Sequence, residues 1–134
     1  MENKGQWDNR VKFKGAVSNG AFFIREGGFT MVQYNPADVA NAMKLLHDRA
    51  PAVPDERYMV RTHAFNVDFV GASKDIKQVP DKKIQAYNNY FSGSDPSKWA
   101  GGCHVFQAIT LKDVYPNVDV RYYTENGFLK YDIL

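Results

Sequence analysis

The sequence predicts a mainly β, or α+β, fold: a β-sandwich-like pair of antiparallel sheets with one amphipathic helix. Three observations indicate this fold class. Eight Tyr, nine Phe and two Trp make up 14% of the 134 residues, and such rings suit half-buried strands. Short apolar or alternating runs are separated by turn signals rich in Gly and Asn. A final hairpin, from Val118 to Leu134, pairs consistently in one register only.

The bulk composition is typical of one globular domain and excludes several classes of function. Hydrophobic residues make up 44% and charged residues 24%. The net charge is only +2, with no basic block, which argues against a nucleic-acid partner. Cys103 is the only cysteine, so an internal disulfide and a cysteine-rich zinc site are excluded. No apolar run approaches the roughly 20 residues of a membrane span, so we expect no membrane insertion.

Three short strands are predicted near the start of the chain. Val11 to Phe13 is a short alternating run, and the turn signal Asn19-Gly20 follows it. Ala21 to Arg25 is apolar, and Phe29 to Tyr34 is rich in β-branched and aromatic residues. Glu26-Gly27-Gly28 between these two runs predicts a second tight turn.

One helix is predicted from Pro36 to Arg49. Asn35 can cap it, Pro36 suits its first position, and Asp38 suits the positive end of its dipole. Its apolar residues recur with the spacing of a single helical face: Val39, Ala42, Met43 and Leu46. We interpret this stripe as a face that packs on the core rather than one that binds a partner. Pro51 and Pro54 are expected to end the helix.

The middle of the chain predicts one long strand and then a long polar connection. The strand runs from Tyr58 to Val70, because Phe65 and its apolar neighbours alternate with less apolar residues. From Ala72 to Gly102 the pattern is broken by Pro and Gly, and the connection's own aromatic side chains are expected to tie it down. Within this segment Asp95-Pro96 can start a helical turn.

The end of the chain predicts three strands. Val105 to Leu111 leads to a bend at Tyr115-Pro116-Asn117, and the final hairpin follows. With Asn126-Gly127 as a type I′ turn, nearly all side chains on one face of the hairpin are apolar. They are Val118, Val120, Tyr122, Leu129, Tyr131 and Ile133. In this register Tyr122 faces Tyr131, and Arg121 faces Asp132 as an opposite-charge pair contributing about 0.2–1 kcal/mol.

The last strand predicts a consequence for assembly. The chain stops inside this strand, at Leu134, which is an unusual place for a natural domain to end; a parent sheet that continues beyond it would leave the strand with an unpaired edge here. We expect the strand edge either to be covered by the chain's own elements or to pair with a neighbouring molecule as a strand-edge dimer.

No catalytic, cofactor-binding or metal-binding residue is predicted. His47, His63 and His104 share no spacing typical of metal ligands. Cys103 and His104 are adjacent strand residues that point to opposite faces, which favours an inert thiol over an activated one. The carboxylates are scattered, and whether two of them flank a cleft, as a glycosidase requires, cannot be read from spacing. No nucleophile elbow, phosphate-binding loop or calcium loop is present.

The candidate ligand-binding residues are aromatic and amide side chains between positions 87 and 99. They are Tyr87, Asn88, Asn89, Tyr90 and Trp99. Flat rings can stack on the apolar faces of sugars, while amides bond hydroxyl groups in two directions. The alternative interpretation, which the sequence favours, is that these rings anchor an irregular segment to the sheet.

Six short motifs occur in one order along nearly the whole chain. They are Asn3-Lys4-Gly5-Gln6-Trp7, His63-Ala64-Phe65 through Phe69-Val70-Gly71-Ala72, Asn89-Tyr90-Phe91, Asp95-Pro96-Ser97-Lys98-Trp99, Tyr115-Pro116-Asn117-Val118-Asp119 and Leu129-Lys130-Tyr131-Asp132. Together they resemble an uncharacterised N-terminal domain of long secreted bacterial surface proteins, frequent in Bacteroidota. In those proteins the domain follows a signal peptide and precedes β-propeller-type or Ig-like PKD repeats, often with a C-terminal sorting domain.

The resemblance implies an exported, β-rich, non-catalytic module without cofactors, part of a larger secreted protein. The signal peptide is expected to precede this sequence, and the helix at about 36–49 is an insertion relative to the family pattern. The implied partners are other domains of the parent chain or other surface proteins, and the implied location is secreted or cell-surface. Adhesion or assembly is therefore the leading functional hypothesis. Carbohydrate binding through residues 87–99 is the alternative, and a glycosidase-like enzyme ranks third.

Overall fold

The computed structural model describes residues 1–47 and 59–134, which form two antiparallel four-stranded sheets in a β-sandwich-like arrangement. The first sheet contains β1 (Val11–Val17), β2 (Gly20–Arg25), β3 (Gly28–Tyr34) and β4 (Thr62–Asp68), in that order. The second contains β5 (Lys77–Tyr90), β6 (Ala100–Tyr115), β7 (Val118–Glu125) and β8 (Phe128–Ile133). Helix α1 (Pro36–His47) lies between β3 and β4 in the chain, and a 3₁₀ turn (Pro96–Lys98) lies between β5 and β6. The predicted mainly β fold class is confirmed.

The three predicted N-terminal strands are present, and β1 is longer than the alternating run that indicated it. The turn after β1 brings β2 against β3 so closely that a Cβ at Gly20 would lie 1.9 Å from the carbonyl oxygen of Val32. Only glycine, which has no Cβ, can lie this close to the carbonyl oxygen of Val32. This explains why the sequence Asn19-Gly20 correctly predicted a tight turn here.

The core is a layer of side chains between the inner faces of the two sheets. The first sheet contributes mainly aromatic rings, and the second contributes mainly aliphatic side chains around Tyr122: Phe13, Phe22, Ile24 and Phe29 meet Ile109, Leu111, Val114, Val120 and Tyr122. The rings of Phe29 and Tyr122 pack edge to face, with centroids 5.9 Å apart. The alternation of buried and exposed positions follows from the pleat of each strand.

The first residues of the chain join the two sheets. Glu2 forms a bridge with Phe13 of β1, and its N–H donates to the carbonyl oxygen of His104 in β6, at 3.0 Å. In return, the Glu2 carboxylate accepts from the N–H of His104 at 2.8 Å. This segment therefore occupies the position beside β6 that β7 leaves open, since β7 pairs with β6 only from Ala108 onward.

Helix α1 has the predicted N-terminus but not the predicted packing. The side-chain oxygen of Asn35 accepts from the N–H groups of Ala37 and Asp38, which confirms the cap. The described part of the helix covers Pro36–His47, and the predicted continuation to Arg49 and the stops at Pro51 and Pro54 lie outside the described residues. The prediction that its apolar stripe packs on the core is wrong: no residue of the helix is buried, and Met43 and Leu46 are 53% and 62% exposed.

The prediction of a polar connection from Ala72 to Gly102 is also wrong. Residues 77–90 form β5, and β6 already begins at Ala100. β5 is an edge strand whose residues are nearly all exposed, so it needs no apolar alternation. Pro80 is tolerated in it because an edge strand has backbone N–H positions that no neighbour uses. The predicted helical turn after Asp95 is confirmed as the 3₁₀ turn.

The predicted strand from Tyr58 to Val70 is shorter in the structure. β4 covers Thr62–Asp68, and Tyr58 lies outside the described residues. The predicted strand from Val105 to Leu111 is confirmed as part of the longer β6, and the bend at Tyr115-Pro116-Asn117 follows it.

The final hairpin has the predicted register at every paired position. Tyr122 pairs with Tyr131, Arg121 with Asp132 and Val120 with Ile133. The predicted Arg121–Asp132 ion pair, however, is wrong. The guanidinium of Arg121 bonds Asp81 of β5, at 2.8 Å, across the intervening strand β6.

The hydroxyl of Tyr122 gives a testable prediction for stability. The residue is 1% exposed, and its hydroxyl oxygen has no hydrogen-bond partner among the described residues. An unpaired buried hydroxyl costs about 1–3 kcal/mol, so Tyr122→Phe should raise the free energy of unfolding by about 1 kcal/mol or more. Urea unfolding would measure the change.

The matched control is Tyr115→Phe, because the Tyr115 hydroxyl donates to the carbonyl oxygen of Val70 at 2.9 Å. This change should lower the free energy of unfolding by about 0.5–1 kcal/mol. A Tyr122→Phe protein that is less stable than the wild type would contradict the expectation.

Candidate functional site

Three exposed aromatic rings lie where β5 turns into β6. Tyr87, Phe91 and Trp99 are 60%, 61% and 45% exposed, and we call them the aromatic platform. The rings of Phe91 and Trp99 pack edge to face, with centroids 6.1 Å apart. Tyr87 lies in β5, and Phe91 is the first residue after that strand. The platform therefore consists of a packed pair of exposed rings, Phe91 and Trp99, with the exposed ring of Tyr87 on the adjoining strand.

The Trp99 ring is held in place by the turn that precedes it. The carboxylate of Asp95 accepts from the N–H and hydroxyl of Ser97, which caps the 3₁₀ turn. The backbone N–H of Trp99 then donates to the carbonyl oxygen of Pro96 at 3.0 Å. Its indole Nε1 donates to the carbonyl oxygen of Gly93 at 3.2 Å. A ring restrained at both ends loses little conformational entropy on binding a ligand.

The five predicted ligand-binding residues do not form one surface. Tyr87 and Trp99 point outward in the platform. Asn89 accepts from the N–H of Gly102 at 2.9 Å, and Gly102 lies in the left-handed region where β6 shifts register. Asn88 contacts the sulfur of Met1. The ring of Tyr90 packs against Trp7, with centroids 5.6 Å apart.

Within the segment 87–99, some residues therefore fit the predicted ligand-binding role and others fit the predicted anchoring role. Tyr90 anchors β5 to the N-terminal segment, and Asn89 stabilises the irregular backbone of β6. Phe91, which lies within the predicted segment 87–99, is the most exposed ring of the platform.

A cleft of about 850 Å³ opens between the two sheets, a volume typical of ligand pockets. Core side chains such as Phe13, Phe22 and Ile109 form its floor, and Lys14, Lys82 and Arg121 lie among its lining residues. Among the described lining residues, Asp132 is the only carboxylate. A glycosidase needs two carboxyl groups across its cleft.

Within the described part of the chain, five aspartates have a lowered pKa, each because of hydrogen bonds. They are Asp8 with Arg10, Asp38 with Arg61, Asp81 with Arg121, Asp95 with Ser97 and Asp119 with Lys112. A carboxyl group with a lowered pKa stays ionised at neutral pH and cannot act as a general acid there.

The side chains of Cys103 and His104 have different partners. Cys103 is fully buried, and its sulfur accepts from the side-chain amide of Gln6 at 3.4 Å. His104 instead lies 3.2 Å from the ammonium group of Lys83. Within residues 1–47 and 59–134, no three His, Cys, Asp or Glu side chains are close enough to hold a metal ion.

Comparison with known proteins identifies the family. A family model described as a domain of unknown function, DUF7948, matches residues 1–134. The chain belongs to this family. No curated protein and no solved structure matches it. In the part of the chain that the structure describes, no helix is long and apolar enough to cross a membrane.

The Asp38–Arg61 pair gives a testable prediction for pH dependence. Asp38 accepts three hydrogen bonds from Arg61, and their effect lowers its pKa from 3.8 to about 2. Because the folded-state pKa is lowered, the interaction stabilises the fold above pH 3.8 and is lost as the pH falls towards 2. Arg61→Gln should return the pKa of Asp38 most of the way to 3.8, as measured by carbon-detected NMR titration.

Arg10→Gln is the matched control, since Arg10 bonds Asp8 in the same way. It should raise the pKa of Asp8 and leave that of Asp38 unchanged. An Asp38 carboxyl that titrates near 3.8 in the wild type would show that the pair does not form in solution.

Proposed function

We propose that this domain is a non-catalytic module of an exported bacterial surface protein and serves adhesion or assembly. The aromatic platform carries this proposal. It exposes the ring of Tyr87 on β5 and the rings of Phe91 and Trp99 in the connection to β6, and large exposed apolar groups rimmed by polar residues are typical of interaction sites. The six motifs that resemble domains of secreted bacterial proteins support the exported location.

The chemistry around the platform also favours binding over catalysis. The acidic group of the adjoining turn, Asp95, has a lowered pKa because Ser97 bonds it, and it serves to cap that turn. The cleft between the sheets has one carboxylate among its described lining residues, so a glycosidase-like enzyme is the least supported alternative.

The surface location and the role of the platform can be tested in cells of the source bacterium. An antibody against this domain should label intact cells, and external protease should remove the label. A parent protein that carries Tyr87→Ala and Trp99→Ala should reach the surface in normal amounts but reduce attachment of the cells several-fold. Attachment would be measured in a flow chamber.

The control for this experiment is Phe65→Ala, which removes a ring of comparable exposure, 40%, from β4 of the other sheet. It should leave attachment unchanged. Label confined to the cytoplasm, or equal attachment by all variants, would contradict the proposal.

Carbohydrate binding is the second candidate function, and one observation favours it. Phe91 and Trp99 form an exposed pair of rings beside the exposed Tyr87 of β5, and the Trp99 ring is already restrained by its bond to Gly93. Such rings can stack on successive sugar units of a glycan. The amides contribute less than the sequence suggested, because the oxygen of Asn89 is already bonded to Gly102.

A glycan array tests this second candidate. The wild-type domain should give signals for a restricted set of glycans, and Trp99→Ala should weaken binding to them about tenfold or more, since a central aromatic contact contributes about 1.4 kcal/mol or more. Phe65→Ala should retain the wild-type signals. No signal for any protein, or equal signals for wild type and Trp99→Ala, would exclude this use of the platform.

A further inference from the structure

The outer edge of β8 has unused hydrogen-bonding groups. Leu134 and Asp119 exchange two backbone hydrogen bonds, each 2.9 Å long. Because bonded and non-bonded pairs alternate in an antiparallel ladder, Asp132 and Lys130 also bond β7. The backbone N–H and C=O groups of the alternate residues therefore point away from β7, and no described residue bonds them. These residues are Leu129, Tyr131 and Ile133.

Two of the other three sheet edges are protected. The edge of β1 is paired with the N-terminal segment through the Glu2–Phe13 bridge. The edge strand β5 contains Pro80, two register shifts, and Lys82 in the left-handed region with φ 51°. Proline and bulges of this kind prevent another strand from pairing. β8 has neither, and its register with β7 is regular throughout.

The sequence of β8 is complementary to itself when read in the opposite direction. Around Tyr131, the segment 128–134 has two apolar residues, a Lys, the central Tyr, an Asp and two apolar residues. Lys130 and Asp132 are exposed, and neither forms an ion pair with another described residue. From the residues that the structure describes, Asp132 accepts only a long hydrogen bond, 3.4 Å, from the hydroxyl of Tyr123. Both charges are therefore available to a partner.

We propose that β8 pairs antiparallel with β8 of a second copy of this chain, with the two-fold axis at Tyr131. In this register the residues whose outer backbone groups are unused face one another: Tyr131 faces the second Tyr131, and Leu129 faces Ile133. These are the pairs that exchange backbone hydrogen bonds, so the edges of both copies are satisfied together.

The same register matches every side-chain pair. Lys130 lies opposite Asp132 on both sides of the axis, which gives two opposite-charge pairs. Phe128 lies opposite Leu134, and both are exposed apolar side chains in the single chain. A shift by one residue would take the unused backbone groups out of register and separate the charges.

The remaining open edge, β4, does not have this property. Centred on Phe65, an antiparallel β4 pair would place His63 opposite Val67 and Thr62 opposite Asp68, with no matching of charge. The complementarity is therefore a feature of β8 and not of any exposed strand. Pairing through β8 would join the second sheets of two copies into one continuous eight-stranded sheet. The two aromatic platforms, at the ends of β5, would lie at the edges of that sheet farthest from the two-fold axis.

Charge reversal at β8 tests the proposal without any ligand. Lys130→Glu sets two carboxylates opposite each other on both sides of the axis, and Asp132→Lys sets two ammonium groups there. Each variant alone should dimerise at least about tenfold more weakly than wild type in sedimentation-velocity measurements over a concentration series. Lys77→Glu makes the same charge change on the opposite edge strand and should dimerise normally.

Mixing the two charge-reversed variants gives the decisive result. In a mixed pair, the glutamate introduced at position 130 of one copy faces the lysine introduced at position 132 of the other. On the other side of the axis, the unchanged Asp132 and Lys130 face each other, so the heterodimer should form with about wild-type affinity. The double variant Lys130→Glu, Asp132→Lys should also dimerise like the wild type. Circular dichroism confirms the fold of each protein, and the mixing result does not depend on small stability losses in either variant.

Two outcomes would overturn the proposal. One is a wild-type protein that remains monomeric at all concentrations, which would leave β8 for a strand from elsewhere in the parent chain. The other is a dimer that is insensitive to these charges. Neither outcome bears on the aromatic platform, so the proposed function is tested separately.

Discussion

The packed layer between the two sheets is the constraint on which the rest of the structure depends. The inner faces of β2, β3, β6 and β7 must all be buried at once, and Tyr122 with Phe29 lies in the middle of this layer. Because side chains alternate along a strand, burying one face determines the register of every inner strand. The two edge strands of the second sheet, β5 and β8, contain no fully buried residue, and both proposed interaction surfaces lie on or beside them.

Edge strands explain why the surface features differ so much from the core. β5 is long, polar and irregular, since little of it is buried, and it can carry exposed rings at its end without loss of packing. Its irregularity also protects it from pairing with another chain. β8 is short and regular, which leaves its backbone available. The second sheet thus offers exposed aromatic side chains at one edge, β5, and unused backbone hydrogen-bonding groups at the other edge, β8.

Glu2 connects the two sheets in the region where β7 no longer pairs with β6. β7 does not pair with the first half of β6. There the backbone and the carboxylate of Glu2 bond β6 at His104, and the backbone of Glu2 also forms a bridge with β1. Trp7 then packs against Tyr90 of β5 and Phe23 of β2. The same aromatic segment that supplies the platform is therefore also tied to the first sheet, so the anchoring and binding interpretations both describe part of it.

The sequence by itself determined the strands around tight turns, the helix cap at Asn35 and the full register of the last hairpin, because these depend on neighbouring residues and on pleat periodicity. Only the tertiary structure decided which strand β5 pairs with, that the helical stripe is exposed, and that Arg121 bonds Asp81 rather than Asp132. These features depend on residues distant in sequence. The candidate site divides in the same way. The sequence predicted which aromatic residues belong to it. Only the structure showed that Tyr90 and the amides have other partners, because this depends on which way each side chain of β5 points and on the register shift at Gly102.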